Sequence, residues 1–459
     1  MPASVNRRYF GTDGVRGPYG GTVINEAFAA RLGSATARWL KARSVATAQE
    51  PAIVLIGRDP RFSGEALERA LSGGFRAEGC IPVSLGVLPT PAVARAVVGF
   101  KAAMGAVVTA SHNPALDNGI KFFDAHGRKL NDEQEAVIEA ALHDEVPLAV
   151  NEFVRRWPQL ARIRSDGITD YIESMSRLLV PNCLAGWTVV LDTANGATCA
   201  TSPVVLGRLG PRLIGIGNHP DGRNINAGVG SEHPEAMVAK VKQTGARIGI
   251  AHDGDGDRCV LCDEKGELLD GDEILTLLAL RALAENRLAN RTLVVTVQSN
   301  LGVDAAVAAA GGRTVRTAVG DRYVVERMLA EGASLGGEAS GHILLPEISP
   351  TGDGLAAALK VLEAMVATGK PLSELRQVLR KFPQATASLA VRKRVPLAEL
   401  PKLTAAISAL EQELGDRGRV LVRYSGTEPK LRFLVEGPDS GTVNAGLARL
   451  EAAARADFS

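Results

Sequence analysis

The chain has 459 residues, which is too many for one compact core, so we expect two to four domains. Its hydrophobic fraction of 46% and charged fraction of 22% are ordinary for a soluble globular protein. The formal net charge is +1, without a long basic or acidic run, which argues against nucleic acid or an anionic membrane as the main partner.

The N-terminal segment carries the first candidate site residue. Its first ten residues, MPASVNRRYF, lack the long apolar core of a signal peptide. The N-terminal loop, FGTDGVRG (residues 10–17), then places Arg16 in a glycine-rich stretch. Glycine leaves room for a close-approaching ligand or loop, and Arg16 is suited to meet a phosphate. A plain structural turn is about as consistent with this stretch alone.

The next segments alternate between strands and helices. AIVLIG (52–57), IPVSLG (81–86) and GAVVTAS (105–111) are short apolar runs, which predict strands. SGEALERALSGGFRAEG (63–79) predicts a helix with a serine cap. NDEQEAVIEAAL (131–142) predicts a helix with an asparagine cap and an acidic first turn.

The third of these strands runs into the serine loop, TASHNP (109–114). A serine hydroxyl at a strand end beside a histidine is a candidate nucleophile, which makes Ser111 and His112 candidate catalytic residues. The G-x-S-x-G elbow of hydrolases is absent, and a simple turn cap at Ser111 has equal weight on this loop alone. Lys121, within DNGIKFF (117–123), is a candidate acid–base group or a cation for an anionic ligand.

The pattern of an apolar strand ending in a polar turn restarts at TVVLDTANGA (188–197) and at TLVVTVQSNLG (292–302). The predicted fold class is therefore α/β, with three similar domains of mostly parallel sheets and a smaller C-terminal α+β domain around a central cleft. Ligands of such sheets bind beyond the carboxyl ends of the strands. The predicted domains are 1–165, 166–258, 259–378 and 379–459.

The acidic loop, HDGDGDR (252–258), alternates Asp253, Asp255 and Asp257 with glycine. Three carboxylates this close repel one another unless a cation neutralises them, and glycine lets the backbone turn them toward one ion. Hard oxygen ligands favour Mg²⁺ or Ca²⁺ over zinc. An EF-hand is rejected, because the sixth position of its loop would be Arg258 and not glycine, and the flanks predict strands. A solvated acidic turn is the minor alternative.

Two cysteines follow the acidic loop. Cys259 and Cys262 form a C-x-x-C pair, but a zinc ribbon needs a second such pair or a histidine pair at fixed spacing, so we place the pair along a strand. The total of five cysteines is odd and the other three are scattered, which indicates no disulfide framework. No apolar run reaches the roughly 18 residues of a membrane span. We therefore predict a cytoplasmic protein.

Two further loops could bind a polar ligand. The glycine-rich loop, GGEASGH (336–342), combines backbone freedom with Glu338, Ser340 and His342, which can offer hydrogen bonds to a polyhydroxylated ligand; a tight hairpin would look similar. The C-terminal loop, VRYSGTEPKLR (422–432), could cradle a dianion, and its alternative is a plain strand–turn–strand. The cradle would use Arg423, Ser425, Thr427 and the amides around Gly426. A Walker pattern is absent.

Together these loops resemble the α-D-phosphohexomutase superfamily, and most closely its phosphoglucosamine mutases. The resemblance extends through nearly the whole chain in one order: YFGTDGVRG, TASHNP, DNGIKFF, DGDGDR, VGDRYV, GGEASGH and RYSGTEPKLR. It implies an isomerase that interconverts glucosamine 6-phosphate and glucosamine 1-phosphate through a phosphoserine and a glucosamine 1,6-bisphosphate. The same chemistry on mannose or glucose phosphates is the alternative, followed by a non-catalytic sugar-phosphate sensor.

The resemblance also implies a role for each candidate residue. Ser111 would be the phosphoserine, and its phosphate would complete an Mg²⁺ site with Asp253, Asp255 and Asp257. Glu338 and Ser340 would bind sugar hydroxyls, and the C-terminal loop would bind the phosphate that is not reacting, through Arg423, Ser425, Gly426 and Thr427. The transferring phosphoryl group and its protons would be served by Arg16, His112, Lys121, Arg258 and His342.

Two positions depart from the pattern of these relatives. Ala339 stands where the glucosamine enzymes usually have Gln or Asn, which puts the sugar preference in doubt more than the reaction. Tyr424 stands where Pro or Lys is common. The only partner that the sequence indicates is a small phosphosugar. It shows no partner-binding helix and does not specify an oligomeric state.

Overall fold

A computed structural model of the chain describes residues 7–43, 51–143, 160–425 and 429–458. Within them lie four β-sheets in chain order, each flanked by helices. We call the parts of the chain around these sheets the first to fourth units. None of the helices in the described ranges combines the length and the apolar character needed to cross a bilayer.

The first unit contains a five-stranded sheet in the order β1-β5-β4-β2-β3. Strands β2, β3 and β4 pair in parallel, whereas β5 returns antiparallel beside β4 and β1 pairs antiparallel with β5. The elements are β1 (Val15–Pro18), α1 (Glu26–Ala42), β2 (Ile53–Arg58), α2 (Gly64–Ala77), β3 (Ile81–Val87), α3 (Thr90–Gly99), β4 (Met104–Val108), β5 (Asp117–Phe123) and α4 (Asp132–Ala140).

The caps of two helices in this unit had been predicted. Asn131 begins α4 with a capping box, as predicted, because its side chain accepts from Gln134 N and the Gln134 side chain accepts from Asn131 N. The predicted serine cap of α2 is wrong. Ser63 precedes the helix without capping it, since its hydroxyl accepts instead a 2.8 Å hydrogen bond from the Asn118 side chain on β5.

The second unit repeats this arrangement with the strand order β10-β9-β8-β6-β7. Strands β6, β7 and β8 are parallel, and β9 returns antiparallel beside β8. The elements are α5 (Leu160–Ser176), β6 (Thr188–Asp192), α6 (Ser202–Arg208), β7 (Arg212–Ile216), α7 (Glu235–Thr244), β8 (Ile248–His252), β9 (Cys259–Asp263) and β10 (Leu268–Leu269). Both cysteines of the C-x-x-C pair lie on β9, as predicted.

The third unit has a four-stranded sheet in the order β12-β11-β13-β14, again parallel in its centre and antiparallel at one edge. Its elements are α8 (Gly271–Ala284), β11 (Thr292–Thr296), α9 (Leu301–Ala309), β12 (Arg313–Thr317), α10 (Asp321–Glu331), β13 (Leu335–Gly337), β14 (Ile343–Leu344), α11 (Gly354–Thr368) and α12 (Leu372–Leu375).

The fourth unit is α+β, with an antiparallel sheet in the order β15-β17-β16. Its elements are β15 (Gln384–Ala390), α13 (Pro401–Leu414), β16 (Arg419–Tyr424), β17 (Lys430–Glu436) and α14 (Ser440–Phe458). One buried apolar cluster continues through the first three units, from Leu55 to Leu379, whereas the fourth unit has a separate core between Val391 and Ala454. The predicted class, three related α/β units and a smaller α+β unit, is confirmed.

One predicted boundary divides a sheet. The sequence analysis placed residues 259–269 in the third domain, but they form β9 and β10 of the second sheet. The reason is that the acidic loop is a hairpin connection, so the chain returns to the sheet that it has just left. We propose a boundary near residue 270, where Asp270 caps α8.

A buried carboxylate at the start of α11 should make stability depend on pH. Asp353 accepts from Ala356 N and from the Tyr171 hydroxyl, each at 3.0 Å, and burial raises its pKa to about 6. Because an unfolded aspartate has a pKa of about 3.9, the stability that Asp353 contributes is greatest below that pH and is lost as the pH rises through about 6. The loss is on the order of 2–3 kcal/mol at neutral pH.

Asp353→Asn keeps a capping oxygen but cannot ionise. The difference in Tm, variant minus unmodified protein, should therefore be larger at about pH 7.5 than at about pH 4.5. Asp439→Asn serves as the control, because Asp439 accepts from Thr442 N at the exposed start of α14. It should show no such rise, and a pH-independent Tm difference for Asp353→Asn would contradict the prediction.

Candidate active site

The predicted loops occupy the same place in three successive sheets. The serine loop connects β4 to β5, the acidic loop connects β8 to β9, and the glycine-rich loop connects β13 to β14. Each connection follows a parallel strand at its carboxyl end and turns back into a strand that runs antiparallel to it. The carboxyl ends of the strands are where α/β sheets bind ligands, and the three loops meet there.

Ser111 faces the acidic loop. Its hydroxyl donates to Asp253 Oδ2 at 2.5 Å, and its Oγ lies 3.4 Å from Nδ1 of His112. The residue is fully buried and has a φ of +52°, a left-handed conformation that is uncommon outside glycine and costs energy. A simple turn cap would not explain why the hydroxyl bonds a carboxylate 142 residues away. The structure thus favours the functional interpretation of Ser111.

Arg61, which the sequence analysis missed, holds the serine loop in this conformation. Its side chain is fully buried and donates to the carbonyl oxygens of Ser111 at 2.9 Å and Asn113 at 2.8 Å, while Asp59 pairs with its Nε at 2.9 Å. From the second unit, the Asn226 amide donates to the same two carbonyls at 2.8 and 3.0 Å. The sequence could have indicated this role, because Asp59 and Arg61 are the first and third residues after strand β2, at its carboxyl end.

The backbone of the acidic loop packs closely against the serine loop. A Cβ atom at Gly254 would lie 2.6 Å from the Ser111 carbonyl oxygen, so this contact requires glycine. Thr90, at the start of α3, donates its amide to the Asp255 carbonyl at 2.9 Å and its hydroxyl to Asp255 Oδ2 at 2.6 Å. These bonds fix the second unit against the first at the site.

The three aspartates form one buried cluster. One carboxylate oxygen from each of Asp253, Asp255 and Asp257 lies within 4.8 Å of the others. Lys121, on β5, donates to Asp255 at 2.6 Å and to Asp257 at 3.1 Å. Burial alone would lower the pKa of this lysine, but Asp13, Asp255 and Asp257 outweigh burial and raise it. Lys121 is thus a fixed cation beside the cluster.

One ammonium does not balance three carboxylates. Burial, followed by repulsion from Asp255 and Asp257, raises the pKa of Asp253 well above its usual range. Burial would also raise the pKa of Asp255 and Asp257. The pKa of both is nevertheless lowered, because Lys121 acts together with Thr90 at Asp255 and with His342 and Lys129 at Asp257. One oxygen of Asp255 and one of Asp257 are buried without a hydrogen-bond partner. Unsatisfied carboxylate oxygens facing excess negative charge fit a hard divalent cation such as Mg²⁺.

Two arginines lie near the imidazole ring of His112, the residue that follows Ser111. Arg16, on the edge strand β1, pairs with Asp13 of the N-terminal loop. Arg258 lies 3.9 Å from Asp257 and 3.8 Å from Glu232. Burial and then the charges of Arg258 and Arg16 lower the pKa of His112, so both arginines act on the ring beside Ser111.

The glycine-rich loop supplies groups from the third unit. His342 is buried, with Nδ1 3.6 Å from Asp257 Oδ1 and Nε2 3.1 Å from Asp321 Oδ2. Burial would lower the pKa of His342, but Asp321 and Asp257 raise it to about 10. Glu338 accepts from Gly320 N at 3.0 Å, and Ser340 is exposed.

Strand β16 of the fourth unit carries Arg423, which lies near Glu338 of the glycine-rich loop. Burial, and next the cross-strand neighbour Arg432, lower the pKa of Arg423, whereas Glu338 is near enough to oppose that change. Ser425, the first residue after β16, is buried. The other two predicted members of this set, Gly426 and Thr427, lie outside the described residues. The structure therefore brings Ser111, the aspartates and Lys121 together, and it places Arg423 near Glu338.

Sequence models of four known domain families match the chain in order. They are described as the phosphoglucomutase/phosphomannomutase alpha/beta/alpha domains I, II and III, over residues 7–147, 169–266 and 270–382, and the C-terminal domain, over residues 366–453. The four matches together cover most of the chain.

Relatives of known name and a solved structure agree with these matches. A phosphoglucosamine mutase from Anaeromyxobacter dehalogenans is 45% identical over 447 residues, covering 96% of each chain. One from Halorhodospira halophila is 44% identical over 444 residues, covering 95% of this chain and 94% of the relative. A phosphoglucomutase/phosphomannomutase family protein from Burkholderia thailandensis has the same fold, with a TM-score of 0.76 at 23% identity and coverage of 98% of this chain and 97% of that one.

Proposed function

This chain belongs to the phosphoglucomutase/phosphomannomutase family, and we propose that it interconverts glucosamine 6-phosphate and glucosamine 1-phosphate through a phosphoserine at position 111. Relatives about 45% identical over nearly the full chain are named phosphoglucosamine mutases, so its activity is that of a phosphosugar isomerase. The observation that carries the residue assignment is the 2.5 Å bond from the Ser111 hydroxyl to Asp253, inside a buried cluster of carboxylates and cations.

The proposed reaction uses Ser111 as donor and then as acceptor. The bond between the phosphoserine oxygen and phosphorus breaks while a bond forms from phosphorus to the C1 hydroxyl oxygen of glucosamine 6-phosphate. The hydroxyl loses its proton, and the serine oxygen gains one. The resulting glucosamine 1,6-bisphosphate reorients so that its C6 phosphate faces Ser111. Ser111 then takes the phosphoryl group at C6, and glucosamine 1-phosphate leaves. Atoms and protons balance over the cycle.

The side chains of this chain position the groups and offset their charge. Lys121, Arg258 and Arg16 are cations around the serine, where charge spreads over the phosphoryl oxygens during transfer. His112, beside the Ser111 hydroxyl, and His342, beside Asp257, are the candidate proton carriers. Glu338 and Ser340 would orient the sugar hydroxyls, and Arg423 with Ser425, Gly426 and Thr427 would hold the distant phosphate.

The chemistry of the donor set fits Mg²⁺. Asp253, Asp255 and Asp257 would hold the ion, with a phosphate oxygen on Ser111 as a further ligand. When bound, the ion supplies positive charge that stabilises the phosphoryl oxygens in the transition state. A glucosamine 1,6-bisphosphate is the corresponding primer, since it can phosphorylate Ser111. We further propose that this enzyme is cytoplasmic, as the sequence predicts, and that it feeds UDP-N-acetylglucosamine synthesis.

A substrate panel tests the proposal. With Mg²⁺ and a trace of hexose bisphosphate, kcat/KM should be at least about 10-fold higher for glucosamine 6-phosphate than for mannose or glucose phosphates, because differential binding of one polar group supplies at least that factor. A preference for mannose or glucose would keep the mechanism and reassign the substrate, with Ala339 as the first residue to examine. No turnover of any of them, and no phosphate on Ser111, would favour a sugar-phosphate sensor.

A further inference from the structure

The segment Gly320–Tyr323 lies apart from the three hairpin loops, but it contacts two groups of the glycine-rich loop. It forms the start of α10, directly after β12. Gly320 N donates to Glu338 Oε1 at 3.0 Å, and Asp321 Oδ2 lies 3.1 Å from His342 Nε2. The sequence marked this segment only as part of a family-like VGDRYV pattern and gave it no chemistry.

The same segment reaches into the first unit through Arg322. Its guanidinium donates to Glu135 at 2.7 and 3.1 Å, to Asp132 at 2.8 Å and to the Thr12 carbonyl at 2.8 Å. Two of these groups lie on α4, and Thr12 belongs to the N-terminal loop that also carries Arg16. Arg322 is 3% exposed and Glu135 is also buried, so the bonds between them are shielded from water, whereas the side chain of Asp132 is partly exposed.

Two neighbouring side chains cross the same interface. The Tyr323 hydroxyl donates to Asp132 Oδ2 at 2.9 Å. Lys129, which is buried in the first unit, lies 2.7 Å from Asp321 Oδ2 and 2.5 Å from Asp13 Oδ1. Three consecutive residues, 321 to 323, therefore each pair with the first unit, and each does so through a polar group.

Such an arrangement is a poor way to gain stability. Removing charges from water costs about as much as their pairing returns, and an apolar interface of the same size would hold the two units at least as firmly. Directional bonds do provide a fixed relative position, because a guanidinium that satisfies several acceptors at once has one geometry. The polar contacts at Arg322 therefore indicate that this interface fixes the relative position of the first and third units.

We propose that Gly320–Tyr323 is a positioning element that sets the distance between two groups of the glycine-rich loop, Glu338 and His342, and the phosphoryl donor Ser111. One face of the segment holds the glycine-rich loop, and Arg322 fixes the segment to the first unit, which carries Ser111. Without Arg322, substrate would still bind to the third and fourth units. The donor would be displaced, and displacement by about 1 Å can lower turnover by about 10²-fold. The inference rests on the proposed function.

The test is steady-state kinetics of Arg322→Gln with glucosamine 6-phosphate, Mg²⁺ and a trace of bisphosphate. We expect kcat to fall by about 10²-fold and KM to change by less than about threefold, since an interaction needed only at transfer has been removed. Arg7 also pairs with Asp132 and Glu135, so neither carboxylate is left without a cation, and the variant should fold. Arg327→Gln is the matched control, because Arg327 on the same helix is half exposed and pairs with Glu331, one turn along that helix.

Three further measurements separate positioning from general damage. Mg²⁺ affinity measured by calorimetry should stay at the value of the unmodified protein, because the acidic loop lies outside the replaced contacts. Arg322→Lys should recover part of kcat, since an ammonium can pair with Glu135 but cannot also reproduce the planar fork. Tyr323→Phe removes only one hydroxyl contact and should lower kcat by roughly threefold at constant KM.

The outcomes are distinct. Wild-type kcat in both Arg322→Gln and Tyr323→Phe would overturn the positioning role. A rise in KM without a fall in kcat would also overturn it, because the segment would then act on substrate binding alone. If Arg322→Gln does not fold, the Tyr323→Phe result decides. Inactivity of the unmodified protein on glucosamine 6-phosphate would instead count against the proposed function.

Discussion

Ser111→Ala should lower turnover of glucosamine 6-phosphate by at least about 10⁴-fold, since removal of a covalent nucleophile leaves only the residual catalysis of binding and fixed charges. The neighbouring cations would remain in place, but the hydroxyl that carries the phosphoryl group would be missing. The KM of the residual activity should change little. Turnover would be measured with Mg²⁺ and bisphosphate at saturating substrate.

The variant should retain the fold. It removes one hydroxyl that donates to Asp253, and the loop is held by the bonds of Arg61 and Asn226 to the Ser111 carbonyl, which alanine preserves. The positive φ at this position is strained for alanine as for serine, so a modest fall in Tm is expected. A large fall in kcat with a small fall in Tm would indicate loss of the nucleophile, whereas a large fall in Tm would indicate that the serine loop no longer keeps its conformation.

Ser84→Ala is the control, because Ser84 is an exposed serine on β3 of the same unit. It should leave kcat unchanged. Mass spectrometry after incubation with bisphosphate should find one added phosphoryl group on the peptide that contains Ser111 in the unmodified protein, and none in Ser111→Ala. Substantial activity in Ser111→Ala, or a phosphoryl group on another residue, would refute the phosphoserine assignment.

The sequence predicted which loops come together better than it predicted their connections. Strand ends with polar clusters led to Ser111, to the three aspartates and to Glu338, because the carboxyl ends of parallel strands gather at one edge. The structure adds that each loop is a hairpin returning to its own sheet. Local periodicity does not distinguish such a return from the start of a new unit, which is why the boundary at 258 was wrong by the length of β9 and β10.

The positioning contacts could not be predicted from local pattern. Arg61 bonds the Ser111 carbonyl 50 residues along the chain, and Arg322 bonds Glu135 at a separation of 187 residues. An arginine after a strand or at the start of a helix has many possible partners, and only the packing of the units selects one. The failed cap at Ser63 has the same cause, since a distant Asn118 competes for its hydroxyl.

Chelation of divalent cations should stop turnover while the protein stays folded. Without an ion, Asp255 is still bonded by Lys121 and Thr90, and Asp253 accepts from the amides of Gly256 and Arg258. These contacts and the flanking strands hold the acidic loop, so the fold does not depend on the metal. Transfer does depend on it, because without the ion the unpartnered oxygens of Asp255 and Asp257 would repel an incoming phosphate.

The measurement pairs activity with thermal unfolding in excess chelator. Activity should fall by at least about 10³-fold, a loss comparable to removing a major electrostatic stabiliser, and should return when Mg²⁺ is added in excess. Tm should fall only by the small amount that loss of a bound ligand produces. Asp257→Asn should weaken Mg²⁺ binding by about 10- to 100-fold, whereas Asp221→Asn, in an exposed loop of the second unit, should not.

Each other outcome has a definite meaning. Unfolding on chelation would indicate a structural ion, with the contacts of Lys121 and Thr90 insufficient to hold the loop. Full activity in chelator would mean that Lys121 and the arginines alone neutralise the phosphoryl group, and the aspartates would then serve to orient these cations. In that case Asp257→Asn would still lower kcat but would show no rescue by Mg²⁺. Loss of activity that is reversible by Mg²⁺, with the fold intact, is the result that the unpartnered oxygens of Asp255 and Asp257 lead us to expect.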